Sequence, residues 1–111
     1  MTFQELTAKV NGTVVVDKPD ATINFAYASD LLSDVMGHCG DESVLITIQN
    51  HLNAIAVCTL VGIEAVVICQ GRPVPEDMKA AAEREGIGIL TTPLSQFATS
   101  IALGELPPSA K

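Results

Sequence analysis

The run Ala65 to Cys69, A-V-V-I-C, constrains this fold more than any other segment of the chain. It is apolar throughout, with no polar residue on either face. Strands of that kind are buried on both sides, which happens in parallel sheets covered by helices. From Ile23 onward the chain alternates strand-like and helix-like segments, and that alternation implies βαβ units joined by right-handed crossovers. The expected fold class is therefore α/β: a small, mainly parallel sheet with helices on both faces, in three α/β/α layers.

The individual elements follow from local signals. Thr2 and Glu5 form a T-x-x-E capping box opening a helix with Phe3, Leu6 and Val10 on one face, and Asn11-Gly12 ends it. Thr13 to Val16 reads as a strand, closed by Asp17, Pro19 and Asp20. Ile23 to Ala28 reads as a second strand with Ile23, Phe25 and Tyr27 on one face. Ser29 or Asp30 then caps a short helix carrying Leu31, Leu32, Val35 and Met36, which Gly37 and Gly40 end in a loop holding His38 and Cys39. After the strand Val44 to Ile48, Asn50 is the expected cap of a helix with Leu52, Ile55, Ala56, Thr59 and Leu60 along one face. Val57, Cys58 and Val61 make its other side apolar as well, so this helix is either sandwiched in the core or part of an interface between subunits.

Beyond Cys69, Pro75 opens and Gly86 closes a helix whose thin stripe is Met78, Ala81 and Ala82. Ile87 to Leu90 is the last strand. Thr92-Pro93 opens a final helix with Leu94, Phe97, Ala98 and Ile101 on one face, stopped by Gly104. The expected organisation is one domain over residues 1–104 with a frayed tail, 105–111, after Pro107-Pro108.

Composition narrows the partners. The chain has 111 residues, 48% apolar and 17% charged, which suits one well-packed domain. Its net charge of -7 repels phosphate backbones and anionic membrane surfaces, so neither nucleic acid nor membrane is expected as a partner. The amino-terminal segment lacks the signal-peptide pattern. Residues 43–63 hold no Asp, Glu, Lys or Arg, but Gln49, Asn50, His51 and Asn53 interrupt them as a membrane span. Three cysteines without short-range pairing suit reduced thiols, and a cytoplasmic location is expected.

No catalytic signature is present. The chain has no G-x-x-x-x-G-K-[ST], no G-x-G-x-x-G and no G-x-S-x-G. His38, Cys39, His51, Cys58 and Cys69 do not form the short-spaced pairs of a zinc site, so no metal and no cofactor are expected. Asp30 and Asp34, at i and i+4, could form an acid/base pair, and His51 is the best single general acid/base candidate. No nucleophile accompanies them.

The polar residues gather instead where the strands end. Ser29-Asp30, Gln49-Asn50-His51, Gln70-Gly71-Arg72 and Thr91-Thr92-Pro93 each follow a strand, and in a parallel sheet these ends share the edge where open α/β folds bind ligands. Helix amino-termini point there too. Capping alone would explain Ser29, Asn50 and Thr92; it does not explain Gln49, His51 and Asn53 on an otherwise apolar segment. The candidate ligand-binding residues are Ser29, Asp30, Gln49, His51, Asn53, Gly71 and Thr92.

From Asp20 through Gly37, D-A-T-I-N-F-A-Y-A-S-D-L-L-S-D-V-M-G, and from Ile46 through Asn53, I-T-I-Q-N-H-L-N, the chain resembles the DRTGG domain family. The similarity continues at Gly71-Arg72-Pro73 and Thr92-Pro93-Leu94-Ser95 and covers nearly the whole chain. Such domains occur as the amino-terminal part of HPr kinase/phosphorylases, in long phosphotransacetylases and beside CBS domain pairs. Single-domain versions often carry a serine kinase label, although the P-loop of those kinases lies in a half that these residues do not include. Where the family tends to have Arg and a Gly pair, this chain has Ala21, Phe25 and Ala26. The resemblance implies a non-catalytic regulatory or adaptor domain, and the apolar character of the helix from Asn50 to Val61 points to a homodimer formed through it. It would bind a small metabolite, with nucleotide-like compounds among the candidates, or a partner protein such as an enzyme it serves, at the strand-end edge. The alternatives are an enzyme using His51 with Asp30 or Asp34, and a pure dimerisation module.

Overall fold

The computed structural model describes all 111 residues, Met1–Lys111. The elements run α1 (Phe3–Lys9), β1 (Thr13–Val16), β2 (Phe25–Ala28), α2 (Leu32–His38), β3 (Ser43–Thr47), α3 (Leu52–Val61), β4 (Ile63–Ile68), α4 (Glu76–Glu85), β5 (Gly88–Thr91) and α5 (Gln96–Ala102). They form one five-stranded sheet in the order β1-β5-β4-β3-β2. The pairs β2–β3, β3–β4 and β4–β5 are parallel, and β1 lies antiparallel against β5. The expected three-layer α/β/α fold is what forms. No helix is long and apolar enough to cross a membrane.

The layers follow from strand alternation. Leu45, Val66, Ile68 and Ile89 face one side, packed by Val35 of α2, Ala54, Ile55, Cys58 and Val61 of α3, and Met78, Ala81 and Ala82 of α4. Val44, Ile46, Ala65, Val67 and Leu90 face the other, packed by Phe3 and Leu6 of α1 and Leu103 after α5. All of β3 and all but Glu64 of β4 are buried, as predominantly apolar central strands require. The capping box of α1 is formed in both directions between Thr2 and Glu5. Phe3 lies so close over β5 that a Cβ on Gly88 would meet its Cε1 at 2.5 Å, so only glycine fits there.

Several local readings are corrected. Ile23 precedes β2 and joins the α1 side, whereas Tyr27 packs on the α2 side, so they do not share a face. Leu52 and Leu60 of α3 face outward, Leu60 with 70% of its surface exposed; the buried stripe is Ala54, Ile55, Cys58 and Val61. In α5, Phe97 and Ile101 are also outward, and Thr99 and Leu103 turn inward. In α3 the cause is that a helix apolar on most sides offers several stripes of the right period, and the sheet selects one of them. In α5 the inward position falls to Thr99, whose hydroxyl lies 3.5 Å from the Cys69 thiol.

The tail after residue 104 is docked, not frayed. Pro108 forms a parallel bridge to Ala26 of β2; the Ala26 N–H donates to the Pro107 carbonyl (3.1 Å), and the Ser109 N–H donates to the Ala26 carbonyl (2.8 Å). Ser109 is only 5% exposed. Its hydroxyl accepts from the Gly40 N–H (2.9 Å) and lies 2.6 Å from the Ser43 hydroxyl. A Cβ on Gly40 would meet the Ala110 carbonyl at 2.6 Å, so glycine lets the tail pass. The tail thus covers part of an edge strand whose backbone groups would otherwise be open.

Candidate functional site

The three helices α2, α3 and α4 cross on the same face of the sheet, and their amino-termini meet at the carboxyl ends of the parallel strands. None of the three has a side-chain cap. The residues expected as caps do other work. Leu31, not Ser29 or Asp30, stands at the cap position of α2, and the Ser29 hydroxyl accepts from the Leu31 N–H at 3.2 Å. His51 stands at the cap position of α3, while the Asn50 amide donates to the Pro73 carbonyl (2.8 Å) and ties that helix to the loop before α4. Ser95 caps α5 by accepting from the Ala98 N–H, and Thr92 does not.

Asp30 is the centre of one hydrogen-bonded group. Its Oδ1 accepts from the Thr47 hydroxyl (2.9 Å), the Ile48 N–H (2.9 Å) and the Gln96 side-chain amide (3.0 Å). The Gln49 side-chain amide donates to the Asp30 carbonyl at 2.7 Å, which supplies the partner that this half-buried amide needs. One carboxylate oxygen therefore joins the end of β2, the end of β3 and the start of α5. Thr47 and Gln96 belong to this network and were not singled out from the sequence.

A second group sits at the ends of β4 and β5. The exit from β4 leads to α4 on one face, and the exit from β5 leads to α5 on the other. This is the one pair of neighbouring parallel strands whose connections diverge, the arrangement that opens a crevice in α/β sheets. The crevice is partly closed here, because the Gly71 N–H donates to the Thr92 carbonyl and the Gln70 N–H to the Leu94 carbonyl, both at 2.9 Å. Gln70 and Gly71 both have φ of 64° and form a tight turn from Cys69 to Arg72. A shallow depression of about 280 Å³ remains, lined by Gly71, Arg72, Pro73, Thr91 and Thr92 among others. Arg72 is exposed and enters no ion pair.

The candidate residues thus separate. Asp30 and Gln49 are in direct contact, and Gly71 meets Thr92. The Thr92 side chain is buried and donates to the Val10 carbonyl (2.6 Å), so it holds α1 against β5 and faces no solvent. His51 is exposed and makes no hydrogen bond to Asp30 or Asp34. Asn53 is exposed beside a groove of about 460 Å³ between α3 and α4, with Leu52, Thr59 and Arg84. The largest hollow, about 660 Å³, lies elsewhere, between α1 and β1, and its lining is Thr2, Phe3, Thr7, Asn11, Val14 and neighbouring residues. It holds a single charged side chain, Asp17, and none of the strand-end residues.

Asp30 and Asp34 do not act as a pair. Asp34 accepts from the Tyr27 hydroxyl at 2.7 Å and lies 3.1 Å from His38. The Tyr27 hydrogen bond, together with Ser29 and His38, holds the Asp34 carboxyl below its ordinary value, and the same bond raises the Tyr27 phenol. Cys39, Cys58 and Cys69 are unpaired and buried, with burial pushing the Cys58 thiol up to about 12. No three His, Cys, Asp or Glu side chains stand close enough together to hold a metal ion.

No protein-family model and no curated protein matches the sequence. Among solved structures, the fold is similar to the crystal structure of the CBS and DRTGG domains of the regulatory region of Clostridium perfringens pyrophosphatase, complexed with its activator, diadenosine tetraphosphate. The TM-score is 0.73 at 12% sequence identity. The match covers 96% of this chain and 47% of that one, so the chain spans about half the length of its structural neighbour. The fold is DRTGG-like.

Proposed function

We propose that this chain is a non-catalytic regulatory or adaptor domain that takes an anionic, nucleotide-like metabolite at the carboxyl edge of its sheet. The observation that carries the reading is the amino-terminus of α3. It has no side-chain cap and no acidic residue in its first turn, and the exposed His51 and the unpaired Arg72 flank it. The Asn50–Pro73 bond holds the loop of Arg72 beside this helix end. Free N–H groups, the helix dipole and a guanidinium together favour a phosphate. In a chain of net charge -7, such a local exception requires short-range recognition and makes binding weaken with salt. The structural neighbour, a regulatory region crystallised with a dinucleotide activator, supports the same class of ligand. The sequence resemblance to the amino-terminal domain of HPr kinases fits a role without phosphoryl transfer, served beside a partner enzyme in the cytoplasm.

The test is a thermal-shift titration with ATP and diadenosine tetraphosphate against adenosine. Ligand at about 100 times Kd stabilises by about 2.7 kcal/mol, a rise of roughly 10 °C or more for a domain of this size. Arg72→Ala should abolish most of the rise, as should raising the salt. An unchanged melting point with every nucleotide at millimolar concentration contradicts the reading.

A second reading, an assembly module, has the outward Leu52 and Leu60 of α3 in its favour. A second copy covering that face would make the homodimer, and sedimentation of wild type against Leu60→Glu distinguishes the two states.

A further inference from the structure

The Asp30 carboxylate has a second oxygen that the fold does not use. All three donors, from Thr47, Ile48 and Gln96, converge on Oδ1, and Oδ2 accepts from no group in the chain. Oδ2 is also not a fully buried atom, since no buried side-chain oxygen lacks a partner, so it keeps some contact with solvent at the carboxyl edge. No Lys, Arg or His pairs with this carboxylate. Three donors on one oxygen fix the carboxylate plane, so the other oxygen is a rigid acceptor with a set direction. A fixed, negatively charged acceptor suits the hydroxyl or amino group of a sugar or heterocycle and repels phosphate.

We infer that Asp30 Oδ2 is the specificity-determining acceptor of the edge: it reads a hydroxyl or amino donor on the nucleoside part of the ligand. The strand order places Asp30, at the end of β2, two strands from the loop of Arg72 after β4, a separation of about 10 Å. The donor-bearing end of the ligand lies at Asp30 and its anionic end at α3 and Arg72. This assignment rests on the function proposed above and adds to it the group that distinguishes a nucleotide from a bare polyphosphate.

The experiment is calorimetric titration of the full chain with two probes, ATP and inorganic tripolyphosphate. Asp30→Asn keeps an oxygen for Thr47, Ile48 and Gln96 and turns the free atom into a donor. Its ATP affinity should fall by about tenfold to a hundredfold, the range for one hydrogen bond to a charged group, while tripolyphosphate binds at least as tightly as to wild type. Thr47→Val removes one donor to Oδ1 and is the structural control. It should lower the melting point and leave the ratio of the two affinities unchanged. Equal ATP binding by Asp30→Asn and wild type overturns the inference, as does an equal loss for both probes. If wild type binds tripolyphosphate and ATP equally well, the donor-reading role fails while the anionic site stands. If it binds neither, the proposed function fails and this role with it.

Discussion

Replacing Ser109 by alanine removes a hydroxyl that is buried between the tail and the loop before β3. In the native chain that oxygen accepts from the Gly40 N–H at 2.9 Å, pairs with the Ser43 hydroxyl at 2.6 Å and receives the weak Cys39 thiol at 3.6 Å. Ser43 keeps two other acceptors, the Gly40 and Asp41 carbonyls, so its proton stays satisfied. The Gly40 N–H has no alternative partner inside the fold. Leaving such a donor unmade costs about 1–3 kcal/mol, and the chain can relieve it only by letting the tail lift and water enter. The loss is therefore bounded above by the free energy of tail docking, and about 1–2 kcal/mol is expected. For a domain of this size that is a fall of roughly 5–12 °C in Tm. Urea and thermal unfolding of Ser109→Ala, with hydrogen exchange at the Ala26 and Ser109 amides, measure both effects. A change below about 0.5 kcal/mol, the range of ordinary surface substitutions, refutes the claim that the tail is a docked part of the domain.

The same structure makes further commitments. Ile55→Ala should cost about 2–5 kcal/mol and Leu60→Ala less than about 0.5 kcal/mol in urea unfolding, because only Ile55 faces the sheet; similar losses would contradict the observed phase of α3. Asp34 has a depressed carboxyl, so its contribution to stability is present above the ordinary value of 3.8 and is lost as pH falls through the lower folded value. Tyr27→Phe removes the largest cause of that depression. The two chains should differ in stability at neutral pH and converge in that acid window, as followed by circular dichroism. Cys39, Cys58 and Cys69 are buried, and burial pushes the Cys58 thiol up to about 12, so a thiol reagent at pH 8 should label none of them until the chain unfolds. Rapid labelling of the native chain would contradict that packing.

The order of elements and the three-layer fold were legible because they depend on pattern alone. The uncharged run of Ala65 to Cys69 demands two covered faces, and β4 is buried over almost its whole length. The phase of α3 was not legible, since Leu52, Ile55, Ala56, Thr59 and Leu60 are as good a stripe as Ala54, Ile55, Cys58 and Val61. Only contact with α2, α4 and the sheet decides between them. Local chemistry misled at the caps. Asp30 has the right type and place to cap α2, but the Thr47 hydroxyl and the Ile48 N–H of the neighbouring strand end lie within reach, and the carboxylate turns to them. Gln96 left no mark in the sequence, since its partner is 66 positions away. The docking of Ser109 depends on Gly40 and Ser43 in the same way.

Nitrogen-resolved NMR of the labelled chain during titration with ATP tests the central claim most directly. The account predicts saturable shifts confined to the amides of Leu52, Asn53, Gly71 and Arg72 and to the segment around Asp30, weakening as salt is added. No shifts, or shifts confined to the hollow between α1 and β1 around Thr7 and Val14, would contradict it.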